Sequence, residues 1–347
     1  MKQIRLYKPY VSWRAVWNVI KVLRSGQLAE GPQVKAFEKE FGEMFGLQDV
    51  IALNSGTSAL ELAYELAGIG PGDEVIVPVL TAPATNVPLP RRGASIVFAD
   101  TEEDLNMSVE DVRRKITPKT KAVVFVHFNG NNRGLDELVA LCRERHIPLI
   151  EDAAQAVGSP HWGLGDFVCV SFQAIKTFTT GDGGALICKD SILSKKARRL
   201  RWFGFDREKK QTQGNVDITE AGYKYHMNDI AAAIGRGNLR SLPQVIKHRE
   251  ELVAAYRARG IQAYVWRAFT LSDKRNELIA YLKSRGFDSG VYDHRNDQYT
   301  VFGGRKPLPI MDALEEKYLF LPLHTGMRIQ DVHRVAGLID EFNAHHE

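Results

Sequence analysis

Between residues 50 and 190, short apolar runs alternate with stretches whose apolar residues recur every three or four positions. IALN (51–54), DEVIVP (73–78), SIVFAD (95–100), KAVVFVHF (121–128), PLIED (148–152), FVCVSF (167–172) and GALICK (184–189) read as buried strands. SGTSALELAYELA (55–67) and the segments 109–116 and 135–145 read as amphipathic helices, the second opened by Ser108 and Asp111 in a capping-box pattern. The alternation predicts an α/β fold: a mostly parallel sheet covered by helices on both faces. Ligands of such sheets bind beyond the carboxyl ends of the strands. Asn54, Asp100, His127, Asp152 and Phe172 all fall at or near such ends.

Outside this block the first 40 residues read as an extended arm and a helix, a break at Ser25–Leu28, and a second helix carrying Phe37 and Phe41 after Gly31-Pro32. Residues 191–258 are helix-rich. A strand-like run YVWRAFTL (264–271), a helix near 274–285, a Gly/Asp/Asn-rich stretch (286–306) and a last helix near 329–343 follow. The pattern predicts a large domain over 1–244, arm included, and a smaller C-terminal α/β domain over 245–347.

At 347 residues with 44% apolar and 25% charged side chains, the chain can bury a large core without staples. A net charge of +4 is too small to point to nucleic acid, and KKARRLR (195–201) reads as a solvated helix face. No apolar run approaches the roughly 20 residues of a membrane span, and the opening residues lack a signal-type apolar core. The expectation is a cytoplasmic protein with no membrane partner. Cys142, Cys169 and Cys188 show no metal-ligand spacing and read as reduced core thiols, so no metal is expected.

The chemistry centres on Asp152 and Lys176, each delivered by its own apolar strand. Lys176 lies among Phe172, Ile175 and Phe178, ahead of the flexible loop TTGDGG (179–184). A lysine in partly apolar surroundings loses proton affinity, which a Schiff-base amine requires. Alone it reads equally as a lysine snorkelling from a strand end. Asp152 suits the protonated pyridine nitrogen of pyridoxal 5′-phosphate (PLP), and alone reads equally as an N-cap. Gln155, one turn on, can donate to the cofactor's phenolic oxygen. Gly56, Thr57 and Ser58 open a helix after a strand, where free N–H groups and hydroxyls can hold a phosphate; Ser171 can add another hydroxyl. His127 is more readily a structural histidine than a catalytic one. His127, Arg201, His294 and Arg295, with Asn296, are substrate-side candidates by position only.

Taken together, these residues resemble the DegT-type sugar-nucleotide aminotransferases among the fold-type-I PLP enzymes. The resemblance is carried by GQLxxGP (26–32), SGTSAL (55–60), GxGPGDEVIVP (68–78), EDAAQA (151–156), SFxxxK (171–176), TGDGGAL (180–186) and GYKYHMNDIAAAIG (222–235). It is close over about residues 8–240 and looser beyond. It implies that Lys176 forms the internal aldimine, that Asp152 pairs with the pyridine nitrogen and that Gln155 lies near the ring oxygen. Gly56, Thr57 and Ser171 would form the phosphate cradle. Segment 222–227 would reach a partner subunit's phosphate, implying a homodimer with shared sites. Lys224 stands there in place of the family's Asn, and His226 in place of its Arg; a lysine still offers a point charge. Ala82, in LTAPATN (80–86), stands where the family has an aromatic over the pyridine ring, a contact worth about 1 kcal/mol. The C-terminal part is shorter than is usual in the family.

The activity so implied is transfer of an amino group from glutamate to a nucleotide-linked keto-deoxy sugar, with pyridoxamine 5′-phosphate as the intermediate cofactor form. Amination of a keto-cyclitol and dehydration of a keto sugar remain alternatives. Related dehydratases carry histidine where this chain has Lys176. A non-catalytic regulator is a third reading, suggested by Ala82 and set against the intact Lys176, Asp152 and Gln155.

Overall fold

The computed structural model describes residues 3–345. Strands β1 (Ile51–Leu53), β2 (Glu74–Pro78), β3 (Ser95–Ala99), β4 (Thr120–Val126), β5 (Leu149–Asp152), β6 (Phe167–Ser171) and β7 (Gly184–Cys188) form one sheet in the order β1-β7-β6-β5-β4-β2-β3. Neighbours are parallel except β7, which runs against both β1 and β6. The central strands are buried along their whole length, as near-continuous apolar runs demand in a sheet covered on both faces.

The reversal at β7 has a local cause. Only a loop joins it to β6, and a parallel return needs a crossover of a dozen residues or more, usually helical. Gly184 opens β7 beside Ser55 and Gly56: a Cβ there would lie 2.4 Å from the Ser55 backbone, so only glycine fits. Beneath the loop, Phe37 and Phe41 from the helix Pro32–Phe45 pack edge-on to Phe172, and Phe178 lies edge-on to Phe172 at 5.3 Å. All four rings are buried.

A second sheet, β10-β9-β8, is antiparallel and comprises β8 (Gln262–Ala263), β9 (Ala268–Leu271) and β10 (Tyr318–Leu321). It packs with the helices Leu242–Arg257, Arg275–Ser284 and Ile329–Ala344 around a core of its own that includes Leu252, Leu278, Leu319 and Val335. The helix Leu242–Arg257 runs across position 245, and the N-terminal arm crosses to this unit. Ile4 donates to the Gly286 carbonyl at 2.9 Å and accepts from Asp288 N–H at 2.8 Å.

Three local expectations change. The apolar run 264–271 is not one strand, because Tyr264 N–H bonds the Arg267 carbonyl at 3.0 Å and turns the chain between β8 and β9. Ser108 caps its helix through Asp111 N–H at 3.4 Å, but the Asp111 carboxylate does not complete the box: it binds Asp100 N–H, Arg114 and Lys115. Asp100 is structural, holding Ile310 and Met311 N–H groups at the start of the helix Pro309–Leu314.

The aromatic cluster predicts its own test. Phe37→Ala leaves a cavity among three rings and should lower unfolding free energy by about 3–5 kcal/mol, read from denaturant midpoints at constant slope. A loss below about 1 kcal/mol would mean that the cluster does not support the loop.

Candidate active site

Lys176 leaves the end of β6 on a turn closed by its own N–H to the Gln173 carbonyl at 2.9 Å. Phe172 is tied across the loop, its N–H to the Gly183 carbonyl at 2.8 Å and its carbonyl to Thr179 Oγ1 at 2.8 Å and Thr180 N–H at 3.0 Å. The lysine's Nζ lies 4.3 Å from the centre of the Trp266 ring. Burial pushes this amine down to about 8; Asp293 and then Asp152 oppose the shift, and Arg267 adds to it.

Asp152 ends β5 and is 5% exposed. Thr85 Oγ1 donates to its Oδ2 at 2.7 Å, and Ala154 N–H to its Oδ1 at 3.1 Å. Thr81 stands behind Thr85 at 2.9 Å. The residues after Asp152, where an N-cap would open a helix, form a turn instead. Gln155 has its orientation fixed: Oε1 accepts from Asn129 N–H at 2.6 Å, which leaves the amide N–H groups as donors.

The helix Gly56–Leu66 starts at the end of β1, capped by Ser55, which accepts from Ser58 N–H at 3.0 Å. Its first turn carries no acidic residue. Among the described residues, no protein acceptor takes the N–H groups of Gly56 and Thr57. A Cβ on Gly56 would lie 2.8 Å from that of Ser171, so the glycine brings the Ser171 hydroxyl to the helix start. Ser58 braces the turn instead, its hydroxyl donating to Asn54 Oδ1 at 2.7 Å. Residues 224–226 run beside the same corner: Asn54 N–H bonds the Tyr225 carbonyl at 2.7 Å, and Asn54 Nδ2 the Lys224 carbonyl at 3.2 Å. The Lys224 side chain is exposed.

The substrate-side candidates are not brought together. His127 is fully buried, its Nε2 2.8 Å from Glu151, whose carboxylate also gathers the N–H groups of Gly163, Leu164 and Gly165. This histidine braces a loop. Arg295 is 1% exposed and committed to Asp297, Asp312 and Glu315. Arg201 is spent on Glu30, Glu38 and the Ala52 carbonyl. Asn296 ties Asn86 to the Thr81 carbonyl. His294 alone of this group is exposed.

Thr85, Asn129, Trp266, Arg267 and Asp293 escaped the sequence reading. Thr81 and Thr85, two polar residues four apart in an apolar stretch, were a usable signal for the first. The others carry none, because what matters is a contact with a residue outside their own sequence neighbourhood, 26 to 138 positions away.

The donor set fits PLP: an amine of depressed proton affinity, a carboxylate held by a hydroxyl, an oriented amide and an anion cradle that a Cβ would fill. In the cofactor-free protein, the rate at which Lys176 is acylated should rise with pH through about 8 and level off above it. An ordinary lysine goes on rising to about 10.4. Peptide mass spectrometry after pulsed labelling reads both limbs, and a Lys176 limb still climbing at pH 10 contradicts the burial argument. Gly56→Ala should weaken PLP retention about ten-fold or more by crowding Ser171, measured by equilibrium dialysis.

The model of the DegT/DnrJ/EryC1/StrS aminotransferase family matches residues 13–340. Among solved structures, the aminotransferase TlmJ from Streptoalloteichus hindustanus is similar at a TM-score of 0.91 and 31% identity, over 99% of this chain and 100% of that one. The sugar aminotransferase CalS13 from Micromonospora echinospora is similar at 0.91 and 30%, over 97% of this chain and 99% of that one. Spr1654 from Streptococcus pneumoniae, solved in PLP and PMP forms, is similar at 0.89 and 26%, over 96% of this chain and 98% and 97% of those chains. On this coverage, and with the fold-type-I sheet and its PLP-compatible edge, the chain belongs to the DegT/DnrJ/EryC1/StrS aminotransferase family.

Proposed function

We propose that this aminotransferase moves an amino group from glutamate to a keto-deoxy sugar carried on a nucleotide, with Lys176 as the covalent anchor of the cofactor. The observation that carries the reading is the convergence of the Lys176 amine, the Asp152–Thr85 pair and the Gly56–Ser171 cradle on one sheet edge. Bound there, PLP supplies an aldehyde that accepts an amine and a ring that takes up an electron pair. Asp152 would face the pyridine nitrogen with its carboxyl group, which Thr85 and the Ala154 N–H hold in place. Gln155 donates toward the ring oxygen. Lys176, once free, would serve as the base for the proton on the donor's α-carbon, since its lowered proton affinity leaves more of the amine neutral near pH 7 than an ordinary lysine has.

The nucleotide half of the substrate finds support in a groove of about 1110 Å³ lined by Gly26–Pro32, Trp202 and Phe205, with a basic rim. Among the described residues, Lys35, Lys195 and Arg199 on that rim have no ion-pair partner, and the half-buried Trp202 among them is packed against His226. A smaller cleft of about 360 Å³ lies at the amino end of β5, away from this chemistry. The exposed Lys224, on a segment pinned beside the cradle, suits a phosphate contact in a second copy of the chain, as a homodimer with shared sites requires.

Two outcomes test the reading. Borohydride treatment of the PLP-loaded protein should fix the cofactor on the Lys176 peptide, and Lys176→Ala should abolish both that adduct and transfer, lowering kcat by about 10³-fold or more. Adduct on another peptide overturns the assignment. With a panel of nucleotide-linked keto sugars, glutamate should be consumed one-for-one with aminated product, read by mass. Sugar converted with no glutamate consumed would mean a different reaction.

A further inference from the structure

Lys176 arrives from β6, yet the surface its amine rests on comes from the small sheet. Trp266 lies in the turn between β8 and β9 and is 3% exposed. Its Nε1 donates to the Ile175 carbonyl at 3.3 Å, one residue before the lysine. The same ring carries the Arg267 guanidinium, centred 4.2 Å away, and stacks on Tyr7 at 5.7 Å and 22°. Arg267 is 1% exposed and bonds Asp293 at 2.6 Å, Asn129 Oδ1 at 2.7 Å and the Tyr7 hydroxyl at 2.9 Å.

We propose that Trp266 is a positioning residue for Lys176 and that the Arg267–Asp293 pair sets the charge its amine meets. The inference rests on the reading of Lys176 as the cofactor-linking amine. A lysine head on a flexible four-carbon stem has no preferred place of its own. An aromatic face within about 6 Å attracts it, and this ring is anchored to the lysine's own backbone neighbour, so the amine is held relative to the turn that presents it. Arg267 alone would repel the ammonium; Asp293, paired with it, offsets that repulsion. Asp152 faces the amine from β5, Arg267 from the β8–β9 turn and Asp293 from the segment after the helix Arg275–Ser284. Tyr7, from the N-terminal arm, acts through Arg267.

The test uses cofactor-free wild type, Trp266→Phe, Trp266→Leu and Asp293→Asn, each checked for native circular dichroism. The first readout is the growth of the visible band on adding PLP at pH 7.5. The second is the pH limb of Lys176 acylation. Trp266→Phe, which keeps a ring, should stay within about three-fold of wild type, whereas Trp266→Leu should form the band about ten-fold more slowly. Asp293→Asn removes an anion that favours the ammonium and leaves Arg267 uncompensated, so its limb should move to lower pH by about one unit. Mere loosening of the site would admit water and move the limb the other way. If the Leu variant matches the Phe variant, or the Asn limb stays or rises, the positioning role is overturned. Should Asp293→Asn not fold, the Trp266 pair decides. A wild type that forms no band at all sinks the reading of Lys176 itself, which separates the two failures.

Discussion

The site depends on holding one amine where water cannot fully solvate it. An ammonium in apolar surroundings is costly, and the protein answers by letting proton affinity fall. That requires a rigid, dry support on the sheet side of Lys176, and the support is the cluster of Phe37, Phe41, Phe172 and Phe178 under the β6–β7 loop. The antiparallel return of β7 follows from the same demand. A helical crossover would carry the chain away from the edge, whereas a short loop keeps Phe172 and Phe178 on either side of the lysine. It also sets Gly184 against Gly56, so the turn presenting the amine and the turn presenting the anion cradle share one glycine-lined contact.

Three carboxylates end strands on this edge or stand next to its end, and only one is left for a ligand. Asp100 is filled by Thr101, Ile310 and Met311 N–H groups. Glu151 is filled by His127 and three loop N–H groups. Asp152 receives one hydroxyl and one N–H, which leaves acceptor capacity on both oxygens. A strand-end carboxylate is therefore not defined by its place in the strand. The number of donors that tertiary structure has already aimed at it decides whether it braces the fold or faces a substrate. The same holds for the cations: Arg201 and Arg295 are surrounded by carboxylates, whereas the Lys176 amine lies over the Trp266 ring.

This explains which parts were legible in the sequence. Periodicity is local, so the strands, the helix Gly56–Leu66 and the placing of Asp152 and Lys176 at strand ends could be read directly. Saturation is not local. Nothing in IPLIEDAAQA tells that Thr85, 67 positions away, would hold Asp152, or that Glu151 rather than Asp152 would take His127. The half-formed capping box at Ser108 fails for the same reason: Asp111 is drawn off by Lys115 and by Asp100 N–H. The Gly/Asp/Asn-rich stretch beyond residue 286 supplied substrate-side candidates by position only, and much of its polarity is spent internally, as Arg295 and Asn296 show. The strand YVWRAFTL hid a turn because an apolar run does not reveal where it bends.

One residue joins the two sheets at the point where they meet the chemistry. Asn129 adopts a left-handed backbone, φ +59°, a conformation that costs most side chains but that asparagine tolerates. In that conformation its N–H reaches Gln155 Oε1, its carbonyl accepts from Trp266 N–H at 3.2 Å and its Oδ1 accepts from Arg267. The orientation of Gln155 and the seat of Trp266 beneath Lys176 are thus set by a single peptide corner, and any shift of the small sheet is transmitted to both. The lysine's aromatic bed and the amide donor are thereby tied to the same residue.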